Sequence, residues 1–167
     1  MSHPSLGLPP DALADGQTAV AGRLRRMRRP LARLALEQAI RLDLTFRDRY
    51  DELALRRFLR DLEQHIEQLA RALETGRDWY VVQYGEWLVP IYRRRDVPMR
   101  DFRTLVNGVR DAARPALPST EARQLDELID RWQLRLRRHG RLPGDHKGNP
   151  IVRFFWKGAG IGDESVV

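Results

Sequence analysis

The sequence predicts an all-α protein, a bundle of five or six helices followed by an extended C-terminal tail. Apolar residues recur at helical spacing over roughly 125 residues before Gly140, with charged residues between them. Proline and glycine interrupt this pattern at intervals that suit helix ends. From Arg141 to Val167 the helical period is absent. These observations divide the chain into an irregular lead-in (1–14), a helical bundle domain (15–140) and an extended, Gly/Pro-punctuated segment (141–167).

The composition predicts one ordinary globular domain. At 167 residues the chain can bury a core without disulfides or metal staples. It has no cysteine, which excludes disulfides, thiolate metal sites and a cysteine nucleophile. The N-terminus shows no signal-peptide pattern, and no apolar run approaches the ~20 residues of a membrane span. We therefore expect a cytoplasmic protein.

The charge is basic and uneven. The net charge is +7, and arginine supplies 28 of the 30 basic residues. Residues 1–34 carry +4, residues 35–92 carry −3, residues 93–141 carry +6 and residues 142–167 are neutral. This pattern predicts either pairing within the chain or selection of a charged partner. A GC-rich genome would give the same preference for arginine without any functional meaning.

The first helix is expected from about Asp15 to Met27. Proline lacks an amide hydrogen and clashes with the preceding turn, so Pro30 is expected to stop or kink this helix. A second helix is then expected to begin at Pro30 or Leu31 and to continue to about Phe46.

The clearest helix is predicted over Asp51 to Thr75, with Gly76 as its C-terminal cap. Its apolar residues step by three and four, a seam typical of a bundle core. The seam consists of Leu55, Leu59, Leu62, Ile66, Leu69 and Leu73.

The next helix is predicted from Trp79 to Tyr92, with Asp78 as its N-cap. It holds five of the thirteen aromatic residues of the chain. Gly85 and Pro90 are expected to bend it or to let a neighbour approach closely.

Two further helices complete the bundle. Pro98 is expected to open one that places Phe102 and Leu105 on a single face, and Pro115 and Pro118 to end it. Ser119 is expected to cap the last helix, which closes at Gly140.

The C-terminal segment is the first candidate site. Phe154, Phe155 and Trp156 follow one another, with Ile151 and Ile161 nearby. Exposed apolar surface of this size favours association. We therefore expect the segment to dock either on the helices of the chain itself or on another protein.

The aromatic helix is the second candidate. Trp79, Tyr80, Tyr84 and Trp87 could line a ligand pocket, with Arg93, Arg94 or Arg95 binding a carboxylate. His65 on the preceding helix could ligate a haem iron in such a pocket. The simpler interpretation is core packing of the aromatic rings and a partly exposed or hydrogen-bonded histidine.

The arginines before Pro30 are the third candidate. Arg25, Arg26, Arg28 and Arg29 could contact phosphates of a nucleic acid or a lipid surface. No aromatic residue is interleaved among them, which disfavours a single-strand binding platform. A solvated face, or pairing with the acidic middle of the chain, is the expected alternative.

Signs of catalysis are lacking in the sequence. No nucleophile elbow or His-Glu-x-x-His sequence occurs, and no histidine lies at ligand spacing from another. The glycines of Lys157–Asp163 do not match a phosphate loop, since their spacing differs and only Glu164 to Val167 follow. We therefore expect no enzyme activity, no metal and no cofactor.

Residues 53–117 resemble the helical sensor domains of bacterial regulators. The shared layout is a leucine-seamed helix ending Leu73-Glu74-Thr75-Gly76, an aromatic helix with Tyr84 and Trp87, an Arg95-Asp96-Val97-Pro98 turn and a further helix with Leu105. The families are the globin-like domains of stress-signalling proteins and the helical domain that precedes cobalamin-binding domains. The Asp-x-His-x-x-Gly motif of the cobalamin family is absent, because Asp145-His146-Lys147-Gly148 has a different spacing.

This resemblance implies a regulatory or assembly role without a transferred cofactor. The aromatic C-terminal segment motivates the leading hypothesis, which is a non-enzymatic adaptor, or a small subunit of a larger bacterial assembly, that docks through this segment. The alternatives are a sensor domain that binds a small ligand or tetrapyrrole, and a protein that binds nucleic-acid phosphates through its N-terminal arginines.

Overall fold

A computed structural model describes residues 17–139 of the chain, and all regular structure in that range is helical. This confirms the all-α class and the number of helices for these residues. The elements are α1 (Thr18–Leu42), α2 (Phe46–Arg49), α3 (Glu52–Thr75), α4 (Trp79–Arg94), α5 (Met99–Ala113), a 3-10 turn (Arg114–Ala116) and α6 (Ser119–Leu136). The predicted lead-in and the C-terminal segment lie outside the described residues.

Helix α1 does not end at Pro30, and the expectation of a second helix starting there is wrong. The helix continues unbroken from Thr18 to Leu42, with Pro30 on its exposed side. A proline inside a helix costs about 3 kcal/mol. Here α1 packs along α3 and α5 and buries Leu24, Leu31 and Ala35. This burial on both sides of the proline offsets the lost hydrogen bond, and tertiary packing overrides the local signal.

Helix α3 follows its sequence prediction closely. The Asp51 carboxylate accepts a hydrogen bond from the Ala54 amide at 2.7 Å, which caps the helix N-terminus. Gly76 ends the helix with φ 70°, in the left-handed region that favours glycine. Most of the leucine seam is buried: Leu62, Ile66, Leu69 and Leu73.

Helices α1 and α5 cross at very short range, and this crossing depends on Gly108. A Cβ atom on Gly108 would lie 2.2 Å from the carbonyl oxygen of Ala35. Ala32 and Ala39 are also buried on α1, so small side chains occupy this part of the helix. The two backbones can approach because neither helix presents a larger side chain at the contact.

The remaining helix starts are set by prolines more than by side-chain caps. Pro98 directly precedes α5, as predicted. Ser119 is the first residue of α6 and Pro118 occupies the cap position, so the predicted Ser119 cap is wrong. Asp78 precedes α4 as expected, but its side chain makes no capping hydrogen bond. Its carboxylate instead lies 3.7 Å from Nε of Arg131 on α6.

The predicted pairing of the basic flanks with the acidic middle is confirmed at several points. Arg25 on α1 binds Glu74 on α3 through two hydrogen bonds of 2.8 and 2.7 Å, and its Nε lies 3.2 Å from Glu67. Arg95 after α4 donates to Asp61 on α3 at 2.9 Å. Among residues 17–139, no helix is long and apolar enough to cross a membrane.

Candidate functional site

The exposed side of α4 is unusually aromatic. Tyr80, Tyr84 and Trp87 recur at spacings of four and three, so they share one side of the helix. Trp79 at the helix start and Trp87 two turns later are 56% and 61% exposed. We call these four side chains the aromatic face. The expected core packing is wrong for both tryptophans, although the tyrosines are partly buried.

The rings of the aromatic face form two pairs. Trp79 meets Tyr80 edge-on with centroids 5.0 Å apart, and Trp87 stacks on Tyr84 at 6.0 Å. The guanidinium of Arg71 on α3 lies 5.8 Å above the Tyr80 ring, in range of a cation–π contact. These contacts hold the partly buried rings and leave much of the surface of the two tryptophans open.

The opposite side of α4 packs against α6 through a glycine. A Cβ atom on Gly85 would lie 2.6 Å from Nε1 of Trp132, which is fully buried. The predicted close approach at Gly85 is therefore confirmed, with Trp132 as the neighbour. Pro90 does not end the helix, which continues to Arg94.

Directly behind the aromatic face lies His65, fully buried on α3. Its Nδ1 is 3.0 Å from the Tyr84 hydroxyl, and its Nε2 is 3.3 Å from the Tyr92 hydroxyl. The rings of Phe102 and Trp132 pack around it at centroid distances of 5.3 and 5.6 Å. Of the two forms expected from the sequence, the histidine is the hydrogen-bonded one.

The network continues from Tyr92 to a surface ion pair. The Tyr92 hydroxyl interacts with the carboxylate of Asp61, which pairs with Arg95. A carboxylate only accepts hydrogen bonds, so we assign the Tyr92 proton to Asp61. The Tyr92 oxygen then accepts from Nε2–H of His65, and the bare Nδ1 accepts from the Tyr84 hydroxyl. This order makes His65 a neutral ring protonated at Nε2.

Burial controls the proton affinities in this network. It lowers the pKa of His65 to about 3, because the charged ring would lose its hydration. It raises the pKa of Tyr84 and of Tyr92, where the nearby Asp61 carboxylate adds to the effect. The pKa of Asp61 is itself raised by burial, although Arg95 opposes this. All three rings are therefore neutral near pH 7.

The described chain ends beside the aromatic face. His139 follows α6, and its Nε2 lies 3.0 Å from the carboxylate of Glu86, the residue before Trp87. The carbonyl oxygen of His139 accepts a hydrogen bond of 3.4 Å from Arg93. Two contacts to α4 thus hold the point from which residues 140–167 continue.

The N-terminal arginine cluster is divided by the structure. Arg25 and Arg28 lie towards α3, where they pair with Glu67, and Arg28 is also 3.8 Å from Glu63. Arg26 and Arg29 are exposed, and neither makes an ion pair with another residue of the range 17–139. Of the four arginines predicted to contact phosphates, two are therefore paired with carboxylates of α3 and two face solvent.

A buried carboxylate, Asp101, was not identified from the sequence. It is completely buried in the first turn of α5. Arg49 donates to both of its oxygens at 3.2 and 3.1 Å, and the Tyr50 hydroxyl donates at 2.5 Å. An acidic residue after Pro98 is typical of a helix start, and nothing in the local pattern distinguishes a buried one. We interpret this cluster as structural, since Arg49 also joins α2 to Asp43.

The predicted docking residues of the tail lie outside the described residues. These are Ile151, Phe154, Phe155, Trp156 and Ile161. Between residues 17 and 139, no group of three or more His, Asp or Glu side chains is placed to hold a metal ion.

The chain matches no protein-family model, and no curated protein is detectably similar to it in sequence.

Proposed function

We propose that this protein is a non-enzymatic helical protein that acts through protein–protein contacts, as an adaptor or a small subunit of a larger assembly. Two surfaces would carry these contacts, the aromatic face of α4 and the aromatic C-terminal segment. The observation that supports the proposal best is the exposure of Trp79 and Trp87, 56% and 61%, on one side of a single helix.

The exposure of these rings matters for binding free energy because tryptophan and tyrosine are among the side chains that contribute most at protein interfaces. Truncating a central aromatic residue of an interface commonly costs about 2 kcal/mol or more of binding free energy. The stacking of Trp87 on Tyr84 also limits the ring motion that binding would have to restrict. The face is therefore both apolar and partly ordered before any partner binds.

The proposal is tested by affinity capture from the source cells with the full-length chain as bait. We expect a stoichiometric partner to be retained by the wild type and lost by the double variant Trp79→Ala/Trp87→Ala. A matched control is Leu53→Ala/Leu134→Ala, since these leucines are 57% and 59% exposed and lie on other helices. Replacing Phe154, Phe155 and Trp156 by alanine tests the C-terminal segment in the same way.

The outcome is decided with purified components. A partner identified in this way should bind the purified wild type and the leucine control with equal affinity, and the tryptophan or the tail variant at least about tenfold more weakly. Equal binding by all four proteins, or no stoichiometric partner at all, would contradict the proposal.

A second candidate is ligand sensing in the bundle, as the resemblance to sensor domains implies. Its support is that His65 and Tyr84, two residues of the predicted pocket, are in hydrogen-bonding contact. Both ring nitrogens of His65 are engaged, so a ligand would have to displace Tyr84 or Tyr92. Visible absorbance and native mass spectrometry of the purified protein test this, and a colourless protein of unliganded mass would contradict it.

Phosphate binding is the third candidate, and the exposure of Arg26 and Arg29 supports these two of the four predicted contacts. If these two arginines alone contact nucleic-acid phosphates, the logarithm of affinity should fall with the logarithm of salt at a slope near two rather than four. Replacing both with glutamine should remove that dependence. Replacing the paired Arg25 and Arg28 should leave it in place, and salt-independent binding would contradict the candidate.

A further inference from the structure

We propose that, in the free chain, the aromatic face of α4 is covered by the C-terminal segment of the same molecule, with Phe154, Phe155 and Trp156 against Trp79 and Trp87. This inference builds on the proposed function, because it states what occupies the two contact surfaces before a partner arrives. It makes the C-terminal segment an intramolecular latch: a partner binds both surfaces after separating them, and its contacts to each outweigh the contacts that this separation breaks.

The position of the chain end supports the latch. His139 is held against α4 by Glu86 at 3.0 Å and by Arg93 at 3.4 Å. Glu86 is next to Trp87 in the sequence, and both are exposed on α4. The 28 residues 140–167 therefore continue from a point at the edge of the aromatic face.

The length of the segment is sufficient for the contact. A chain rises at most ~3.3–3.6 Å per residue, so the 15 residues from His139 to Phe154 can span about 50 Å. Trp79 and Trp87 are eight residues apart on a helix, which is about 12 Å. The whole face lies within reach of the Phe154–Trp156 run, with length to spare for the turns that Pro143 and Pro150 favour.

The chemistry of the two surfaces is complementary. Arg153 and Lys157 flank the three aromatic residues of the segment. Asp78 and Glu86 flank the aromatic face, and about half of each side chain is exposed. Arginine and lysine also bind the faces of tryptophan rings through cation–π contacts. Both the apolar and the charged parts of the segment thus find counterparts on α4.

The C-terminal segment of the same chain is a better occupant than a second copy, because tethering raises its local concentration at the aromatic face. Tethering two sites in one chain gives an effective concentration that reaches the millimolar range for short linkers. A second molecule would need to reach that concentration to compete for the same face. Covering these rings within the chain also removes the exposed apolar surface that favours association.

Disulfide formation in the full-length chain tests the latch directly, because the chain has no cysteine of its own. Gln83 is exposed on α4 between Trp79 and Trp87, and Lys157 directly follows Trp156. In the double variant Gln83→Cys/Lys157→Cys, a disulfide forms only when the two Cα atoms come within about 7 Å. We expect rapid oxidation to an internally bridged monomer, seen as a faster band on non-reducing gels.

The matched control keeps both cysteines and replaces Phe154, Phe155 and Trp156 by alanine. Chain length and the position of the cysteines are then unchanged, and only the proposed anchors are missing. We expect the rate of internal bridging to fall at least about tenfold, which corresponds to about 1.4 kcal/mol. Replacing Trp79 and Trp87 by alanine in the same background should have a similar effect. Circular dichroism of each variant checks that the helices are retained.

The alternative results each overturn the latch. Equal rates with and without the aromatic residues would show that the segment does not dock on α4. Bridged dimers in place of bridged monomers would show that a second copy is the occupant. Because the assay uses only the purified chain, its failure would leave the proposed partner binding standing. Conversely, a chain that bridges internally but captures no partner would support the latch and contradict the proposed function.

Discussion

The Nδ1 atom of His65 lies 3.0 Å from the hydroxyl oxygen of Tyr84, which joins a fully buried residue of α3 to the aromatic face of α4. Trp87 stacks on the same tyrosine ring from the outside. The aromatic face is thus anchored to a polar network inside the bundle, and that network ends at the Asp61–Arg95 ion pair. The arrangement of the aromatic face therefore depends on buried hydrogen bonds, and each of these bonds can be tested by a separate substitution.

Tyr92→Phe should destabilise the protein more than Tyr84→Phe. Tyr92 is fully buried, so its loss leaves Nε2–H of His65 without an acceptor, at a cost of about 1–3 kcal/mol. Tyr84 is only partly buried, water can replace it, and about 0.5–1.5 kcal/mol is expected. Urea denaturation measures both. Tyr80→Phe serves as control and should change little, and a Tyr84 variant less stable than the Tyr92 variant would contradict the assigned network.

Stability should fall as the pH is lowered from 7 to 5, and His65 should be a main cause. An unfolded histidine takes up a proton near pH 6.5. Folded His65 has a pKa of about 3, so it stays neutral over this interval. The unfolded chain therefore binds the extra proton, and the free energy of unfolding falls by up to about 1.4 kcal/mol per pH unit below 6.5.

The matched variant for this prediction is His65→Gln, which keeps hydrogen-bonding atoms but does not titrate. Urea midpoints between pH 5 and 7 should depend on pH less steeply in the variant. The lowered pKa values of Asp43 (about 2) and of Glu74 keep the titration of these carboxylates below this interval. An unchanged slope would show that His65 is not the titrating group.

Gly108→Ala should strongly destabilise the bundle, whereas Gly22→Ala should not. At Gly108 the new Cβ would meet the Ala35 carbonyl oxygen at 2.2 Å, and a backbone atom cannot move aside without separating α1 from α5. Overpacking of this kind costs about 1–3 kcal/mol or more. At Gly22 the nearest atom is the end of the flexible Arg26 side chain at 3.3 Å. There alanine should stabilise the helix by up to about 1 kcal/mol. Thermal unfolding of both variants tests the crossing, and equal melting temperatures would contradict it.

Arg49→Ala should cost far more stability than Arg56→Ala. Removing Arg49 leaves the buried Asp101 carboxylate without its two-pronged partner, and breaking such a pair costs about 3–5 kcal/mol. Arg56 pairs with Glu52 on an exposed helix surface, where the pair is worth less than about 0.5 kcal/mol. Chemical denaturation compares them. Similar small losses would show that Arg100, whose Nε also donates to Asp101 at 3.2 Å, compensates the carboxylate without Arg49.

Local signals predicted α3 well because its start and its end are decided by single residues. Asp51 and Gly76 act within one turn of the helix, so their roles are visible without knowledge of the fold. The prediction of a helix end at Pro30 was wrong, because the local penalty of the proline is outweighed by contacts of α1 with α3 and α5. Those helices come later in the chain, and a local pattern does not contain them.

The candidate site was likewise predicted in part from local sequence and in part missed. The sequence pointed to Trp79, Tyr80, Tyr84, Trp87 and His65 as a group, and the structure does bring His65 to Tyr84. The sequence did not distinguish the exposed tryptophans from the buried Tyr92, since all are aromatic residues of one helix. It also missed Asp101, whose burial depends on Arg49 and Tyr50 about fifty residues earlier.

By itself, the sequence determined the helical class, the limits of α3, the uneven charge of its regions and the aromatic composition of α4. Each of these follows from interactions between residues close in the chain, or from the total charge of a region. Only the tertiary structure decided that α1 continues through Pro30, that Arg25 is paired while Arg26 is not, and which side of α4 faces water. These outcomes depend on which helices pack together, and packing sums many weak contacts between residues far apart in sequence.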